Sequence, residues 1–179
     1  GKMNELLALL PPILDEKKSI LIFTQYVKMG HILVDQLKER FPKIPVSFLY
    51  GGVEVKKREA MIKNFQNSAE GPSIFILSLK AGGFGLNLTA ANHVIHYDRW
   101  WNPAVENQAT DRSYRIGQTE DVHVYRMICE GTLEMQIDDL LEKKKKLSQQ
   151  ILGQGDGWVT ELNDDEVFEL VRLRRKVLG

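Results

Sequence analysis

Apolar residues along this chain fall into short runs, separated by stretches where they recur every three or four positions. The runs are Ile20–Phe23, Val46–Tyr50, Ile74–Leu77, Val94–Tyr97 and Val122–Ile128. Those at 20–23 and 74–77 are almost continuous, as expected of strands covered on both faces of a parallel sheet. Helical stripes lie between them. Met29, Leu33 and Leu37 recur every four residues, and Met61, Ile62 and Phe65 form the next stripe behind Lys56-Lys57-Arg58. A further helix is expected over 103–116, with Asn102 as N-cap and Pro103 at its first position. The first fifteen residues read as an amphipathic segment interrupted by Pro11 and Pro12. Strand and helix alternating at this rhythm predict an α/β fold, a doubly wound and mainly parallel sheet flanked by helices.

The tail has a different pattern. One long helix is expected over 132–151, with Leu133, Ile137, Leu140, Leu147 and Ile151 on one face. A glycine-rich break at 153–157 precedes a last helix, whose start is marked by Asn163 and Glu166 spaced as a capping box. The expected organisation is a lobe over 1–130 and C-terminal helices over 131–179 packed on it.

With 179 residues, 43% hydrophobic and 27% charged, the chain is the size of one ordinary core-forming domain. Lys plus Arg equals Asp plus Glu at 24 each, so bulk charge cannot hold a nucleic acid and any such partner must meet a local patch. One cysteine makes no internal disulfide, and no apolar run approaches the roughly 20 residues that span a bilayer. The Gly1-Lys2 start reads as a piece of a longer chain.

Three segments carry candidate chemistry. In residues 77–88, Gly82, Gly83 and Gly85 follow a buried strand, beside Ser78 and Lys80. Glycines let backbone N–H groups converge on an anion, and the hydroxyl and ammonium are usual phosphate donors. A plain chain reversal explains the glycines equally well. The second segment is 108–118, where Gln108, Arg112 and Arg115 stand at i, i+4 and i+7 on one helical face. Two guanidiniums and an amide there can clamp a phosphate, or Asp111 and Arg115 can form an ordinary salt bridge. The third is Asp98-Arg99-Trp100-Trp101-Asn102-Pro103, whose adjacent tryptophans cannot both point into one core from a strand end. His93 and His96, three apart in an expected strand, face opposite sides and cannot share a metal, and no other ligand spacing is present, so no metal site is expected.

Together these segments resemble the second motor lobe of a Swi/Snf-family ATPase, within helicase superfamily two, over nearly the whole chain. Residues 18–26 (KSILIFTQY) resemble the lobe's opening strand and its first motif, and Tyr50-Gly51-Gly52 with Arg58-Glu59 the next. Residues 77–98 are similar to the fifth motif and its extension, 98–103 to an Asp-x-x-Trp-Asn-Pro element, and 108–118 to the sixth motif with its Arg-Ile-Gly-Gln ending. Residues 130–134 resemble the lead into a bracing helix. Lys80 stands where arginine is usual, and Ser113-Tyr114 where Ala-His is commoner.

The resemblance implies a RecA-like lobe with C-terminal bracing helices. It implies that Arg112 and Arg115 are arginine fingers for ATP, that Gln108, Gly85 and Asn87 face the nucleotide, and that Gln25, Gly52, Ser78, Lys80, Gly82 and Trp101 contact nucleic acid. It also implies ATP with Mg²⁺, held mainly by a first lobe, because no GxxxxGK[ST] sequence and no Asp-Glu-x-His box occur here. This lobe alone should then hydrolyse essentially no ATP. The implied partners are double-stranded DNA, the N-terminal motor lobe of the same chain and a DNA-bound protein cargo, with no membrane and an intracellular location. An RNA or single-strand helicase lobe, a non-enzymatic protein-binding module and a small-ligand Rossmann domain are the alternatives.

Overall fold

A computed structural model describes residues 1–67, 71–78, 86, 88–99, 109–110, 121–132 and 134–142. The elements run α1 (Lys2–Asp15), β1 (Ser19–Thr24), α2 (Val27–Arg40), β2 (Val46–Leu49), α3 (Val55–Gln66), β3 (Ile74–Ser78), β4 (Ala91–His96) and β5 (His123–Arg126). A helix also covers 134–142. Each apolar run found in the sequence forms a strand, and the stripes at 29–37 and 61–65 lie on α2 and α3. The expected helices over 103–116 and 132–151 are helical at their described residues, 109–110 and 134–142. The rest of both, and the last helix, lie outside the described residues.

The strands form one sheet in the order β2-β3-β1-β4-β5, with all four pairings parallel. β1 is central: Ile20 pairs with Ile74 on one side and His93 on the other. The chain leaves β1 toward the β2 edge and leaves β4 toward the β5 edge, so the winding reverses between these two neighbours. This is the doubly wound arrangement that the alternation predicts, and it fits the RecA-like lobe that the resemblance implies.

Alternation along each strand builds two cores. Ile20, Ile22, Ile74, Ile76 and Ile95 face Leu6, Leu10 and Ile13 of α1 and Leu33 and Leu37 of α2. Leu21, Phe23, Phe75, Leu77 and Val94 face the other way, toward Phe65 of α3 and toward Ala109. Phe65 and Phe75 stack across that interface with centroids 4.9 Å apart. Burying each such side chain contributes roughly 1.5–3 kcal/mol.

α1 corrects one expectation. It runs unbroken through Pro11 and Pro12. An interior proline costs about 3 kcal/mol. Burial of Leu6, Leu10, Ile13 and Leu14 along one face offsets it, at roughly 1.5–3 kcal/mol each. The helix ends in a Schellman turn: Lys18 N–H donates to Ile13 O at 3.2 Å and Lys17 N–H to Leu14 O at 3.0 Å. Lys17 occupies the left-handed position with φ 58°.

α2 reaches the sheet through Gly30. A Cβ built there would lie 2.1 Å from Cζ of Phe48, so the ring fills the space a side chain would need. Helix propensity favours Gly30→Ala by up to about 1 kcal/mol. Overpacking against the ring costs about 1–3 kcal/mol and should win. Urea unfolding of Gly30→Ala should show a lowered midpoint, and adding Phe48→Leu should recover much of the loss. A midpoint at or above wild type would mean that the ring swings aside at no cost.

Candidate functional site

In a parallel sheet every strand ends on the same edge. The carboxyl rim here gathers Gly52 after β2, Ser78 at the end of β3, Thr24 and Gln25 at the end of β1, and Asp98 and Arg99 after β4. The strands that carry them stand in that spatial order, neighbouring strands being about 4.8 Å apart, and Ser78 pairs directly with Thr24. Open α/β sheets present ligand sites on this edge, where the winding reverses.

At the reversal between β1 and β4 the two strand ends are tied together. Thr24 is fully buried, and its hydroxyl donates to Asp98 Oδ2 at 2.5 Å. The same carboxylate oxygen accepts the Gln25 N–H at 3.1 Å. The Gln25 side-chain amide donates to the Arg99 carbonyl at 2.6 Å. Tyr26 N–H donates to the Thr24 hydroxyl at 3.3 Å, which fixes the entry to α2 and leaves the Tyr26 ring 60% exposed.

A second tier lies behind this tie. Arg99 N–H donates to Glu134 Oε1 at 3.4 Å, and its guanidinium pairs with Asp138 at 2.8 Å. Glu134 Oε2 accepts the Cys129 N–H at 3.1 Å and pairs with the Lys2 ammonium at 2.5 Å. Lys2 also donates to the Tyr97 carbonyl at 2.9 Å and lies 5.7 Å from the centre of the Tyr97 ring. Burial, then the neighbouring Asp98, Cys129 and Glu134, push the Tyr97 phenol above its ordinary pKa.

On the second core face, His96 is 1% exposed and stacks on Phe23 with centroids 5.4 Å apart. Its Nε2 hydrogen-bonds the Thr110 hydroxyl at 3.0 Å, and Ala109 beside it is buried. This contact ties Thr110 to β4. His93 lies on the other side of β4, against His123 and Tyr125, so the two histidines face opposite ways as the strand period requires.

The candidate residues divide as follows. Gln25 is half-buried with its amide committed to Arg99, Gly52 is exposed, and Ser78 is 1% exposed beside Thr24 in the register. A Cβ at Gly52 would come within 2.8 Å of the Tyr50 ring, so glycine there lets Tyr50 fold back over the turn. Lys80, Gly82, Gly85, Asn87, Trp101, Gln108, Arg112 and Arg115 lie outside the described residues. Sequence reasoning missed Thr24, Glu134, Asp138 and Lys2. A threonine ending a buried strand beside a later Asp-Arg pair was the one available signal. A cleft of about 140 Å³ lined by Pro45, Asn64, Asn67 and Ser73 opens on the opposite, amino edge, away from the described candidates Gln25, Gly52 and Ser78. Among the described residues no helix is long and apolar enough to cross a membrane.

Fold and rim together define a RecA-like α/β lobe. Residues 1–117 match the helicase conserved C-terminal domain model. The chain is 43% identical to the Sulfolobus solfataricus SWI2/SNF2 ATPase C-terminal domain (TM-score 0.67), over 95% of this chain and 68% of that one. It is 44% identical to the same organism's SWI2/SNF2 ATPase core solved in complex with dsDNA (TM-score 0.69), over 95% of this chain and 35% of that one. A putative ATP-dependent helicase/translocase of Bacillus subtilis, YwqA, is 54% identical over 96% of this chain. Human chromatin-remodeling ATPase INO80 is 37% identical over 96% of it. The chain belongs to the helicase C-terminal domain family, as a lobe of its SWI2/SNF2 ATPases. It spans 18% of the length of YwqA and 11% of INO80.

Removing the Asp98 carboxylate would leave the Thr24 hydroxyl and the Gln25 N–H without their acceptor. Each such loss costs about 1–3 kcal/mol, so Asp98→Ala should lower stability in urea by roughly 2–6 kcal/mol. A change under about 0.5 kcal/mol would show that the strand ends hold without it. Tyr97 supplies a pH signature. Its folded pKa lies above its unfolded one, so its contribution is fully present below the unfolded value and is lost as pH rises through the folded one. Alkaline titration of tyrosinate absorbance should show one late-ionising tyrosine that Tyr97→Phe removes.

Proposed function

We propose that this chain is the second motor lobe of an ATP-dependent translocase on double-stranded DNA. The observation that carries the reading is the row Gly52, Ser78, Gln25 and Asp98–Arg99 along one rim, in a chain 44% identical to a SWI2/SNF2 core that binds dsDNA. Gln25, Gly52, Ser78, Lys80, Gly82 and Trp101 would contact the duplex along its backbone. Backbone contacts give little sequence preference and a strong salt dependence. Ser78, being buried, would contribute through its N–H or C=O or after a local shift of its neighbours.

For the chemistry, the lobe would offer donors to ATP bound elsewhere. The phosphate cradle and the Mg²⁺ ligands would come from the first lobe of the same chain, so this lobe alone would be inactive. Ala109 and Thr110 pack toward the sheet through His96 and the second core. A helical period carried on from them would turn Gln108, Arg112 and Arg115 to the other side, toward a facing lobe. Arg112 and Arg115 would stabilise charge developing on the γ-phosphate, while Gln108, Gly85 and Asn87 would align the nucleotide. Closing of the lobes would complete the site, and reopening would advance the rim along the duplex. A DNA-bound protein is the fitting cargo, and the inside of a cell the fitting location.

The test is ATP hydrolysis by the full-length protein with and without duplex DNA. Duplex should stimulate wild type, and Arg115→Ala, folded by circular dichroism, should lose at least two orders of magnitude, since arginine fingers supply on the order of 10³–10⁵. An unchanged rate in the variant would remove Arg115 from catalysis. Stimulation by single-stranded RNA in preference to duplex would overturn the DNA assignment.

A further inference from the structure

Glu134 and Asp138 are one helical turn apart, so both project from the same face of the 134–142 helix. That face does more than cover the sheet. Glu134 takes the N–H of Arg99, the N–H of Cys129 and the ammonium of Lys2, while Asp138 takes the guanidinium of Arg99. The Arg99 carbonyl is meanwhile held from the front by the Gln25 amide at 2.6 Å. The backbone of Arg99 is therefore gripped on both sides, by the helix behind and by a rim residue in front. Arg99 itself is 7% exposed, so it is a structural bracket between the two.

We propose that Glu134 is a positioning residue for DNA engagement: through Arg99 it sets the place of Gln25 and the rim at the β1–β4 join. This inference rests on the reading of the rim as the duplex-facing surface. The chemistry favours Glu134 for the task. One carboxylate offers two oxygens with about four acceptor directions, and Glu134 spends them on backbone donors from two different connections plus a cation from α1. No neutral side chain can accept all three at once. With the carboxylate gone, residues after β4 and β5 would lose their shared anchor. The rim would then sample more arrangements, and duplex binding would carry the cost of ordering it. The weakening should therefore fall on the DNA concentration needed and spare the turnover reached at saturation.

The experiment uses the full-length protein and a short duplex, with ATP hydrolysis measured across duplex concentration. For Glu134→Ala the half-maximal duplex concentration should rise about tenfold or more, with the maximal rate at saturating duplex kept within about threefold. Glu134→Gln keeps the shape and one acceptor but cannot pair with Lys2, and should shift the half-maximal concentration in the same direction by a smaller factor. It also decides the matter if the alanine variant fails to fold. An unmoved half-maximal concentration in both variants would overturn the proposal. So would a fallen maximal rate with an unmoved half-maximal concentration, the signature of a partly unfolded lobe. If duplex fails to stimulate wild type at all, the duplex reading of the rim fails first, and the role of Glu134 in DNA engagement falls with it.

Discussion

Asp98 Oδ2 receives the Thr24 hydroxyl and the Gln25 N–H at the one place where the winding of the sheet reverses. A carboxyl group buried to 9% exposure is tolerable only when such donors replace the water it has lost. Meeting that requirement brings the ends of β1 and β4 into fixed relation, even though the two segments lie more than seventy residues apart in sequence. The entry to α2, the direction of the Gln25 amide and the position of Arg99 all follow from this tie. What lies behind the rim, the helix at 134–142 and the start of α1, is held through Arg99 and Tyr97.

The parallel sheet supplies the complementary constraint. Because all five strands run the same way, their carboxyl ends share an edge, and residues remote in sequence become neighbours at strand spacing. α1 and α2 pack on one face of the central strands and α3 on the other, and the carboxyl edge is where polar groups gather. His96 repeats the device on a smaller scale. Buried on Phe23, it uses one ring nitrogen to hold Thr110, beside the buried Ala109.

Much of this was legible in the sequence because period and run length are local properties. The near-continuous runs at 20–23 and 74–77 are central strands because they are apolar on both faces, and His93 and His96 diverge because a strand has period two. The candidate rim was legible in part, since Gln25 directly follows β1 and Gly52 lies three residues beyond β2. The clamp was not. Lys2 and Glu134 meet from opposite ends of the chain, and nothing local to either announces the other. Gln25 shows the same gap differently. The family resemblance marks it as a candidate nucleic-acid contact, but only the fold reveals that its amide is committed to the Arg99 carbonyl. Pro11 and Pro12 misled because local propensity disfavours a helix there, while four buried side chains, visible only once the sheet exists, outweigh it.

The central position of β1 also bears on how the lobe is made. Ile20 pairs with Ile74 and His93, which follow it by 54 and 73 residues. At a synthesis rate of roughly 5–20 residues per second, β1 emerges from the ribosome about 4–15 s before its second partner. Over that interval α2 and β3 become available to Leu6, Leu10, Ile13, Ile20 and Ile22, but the β4 side of β1 stays unpaired. The hydrogen bonds along both sides of β1 can therefore be complete only once β4 has been made, so the middle of the sheet closes late in synthesis.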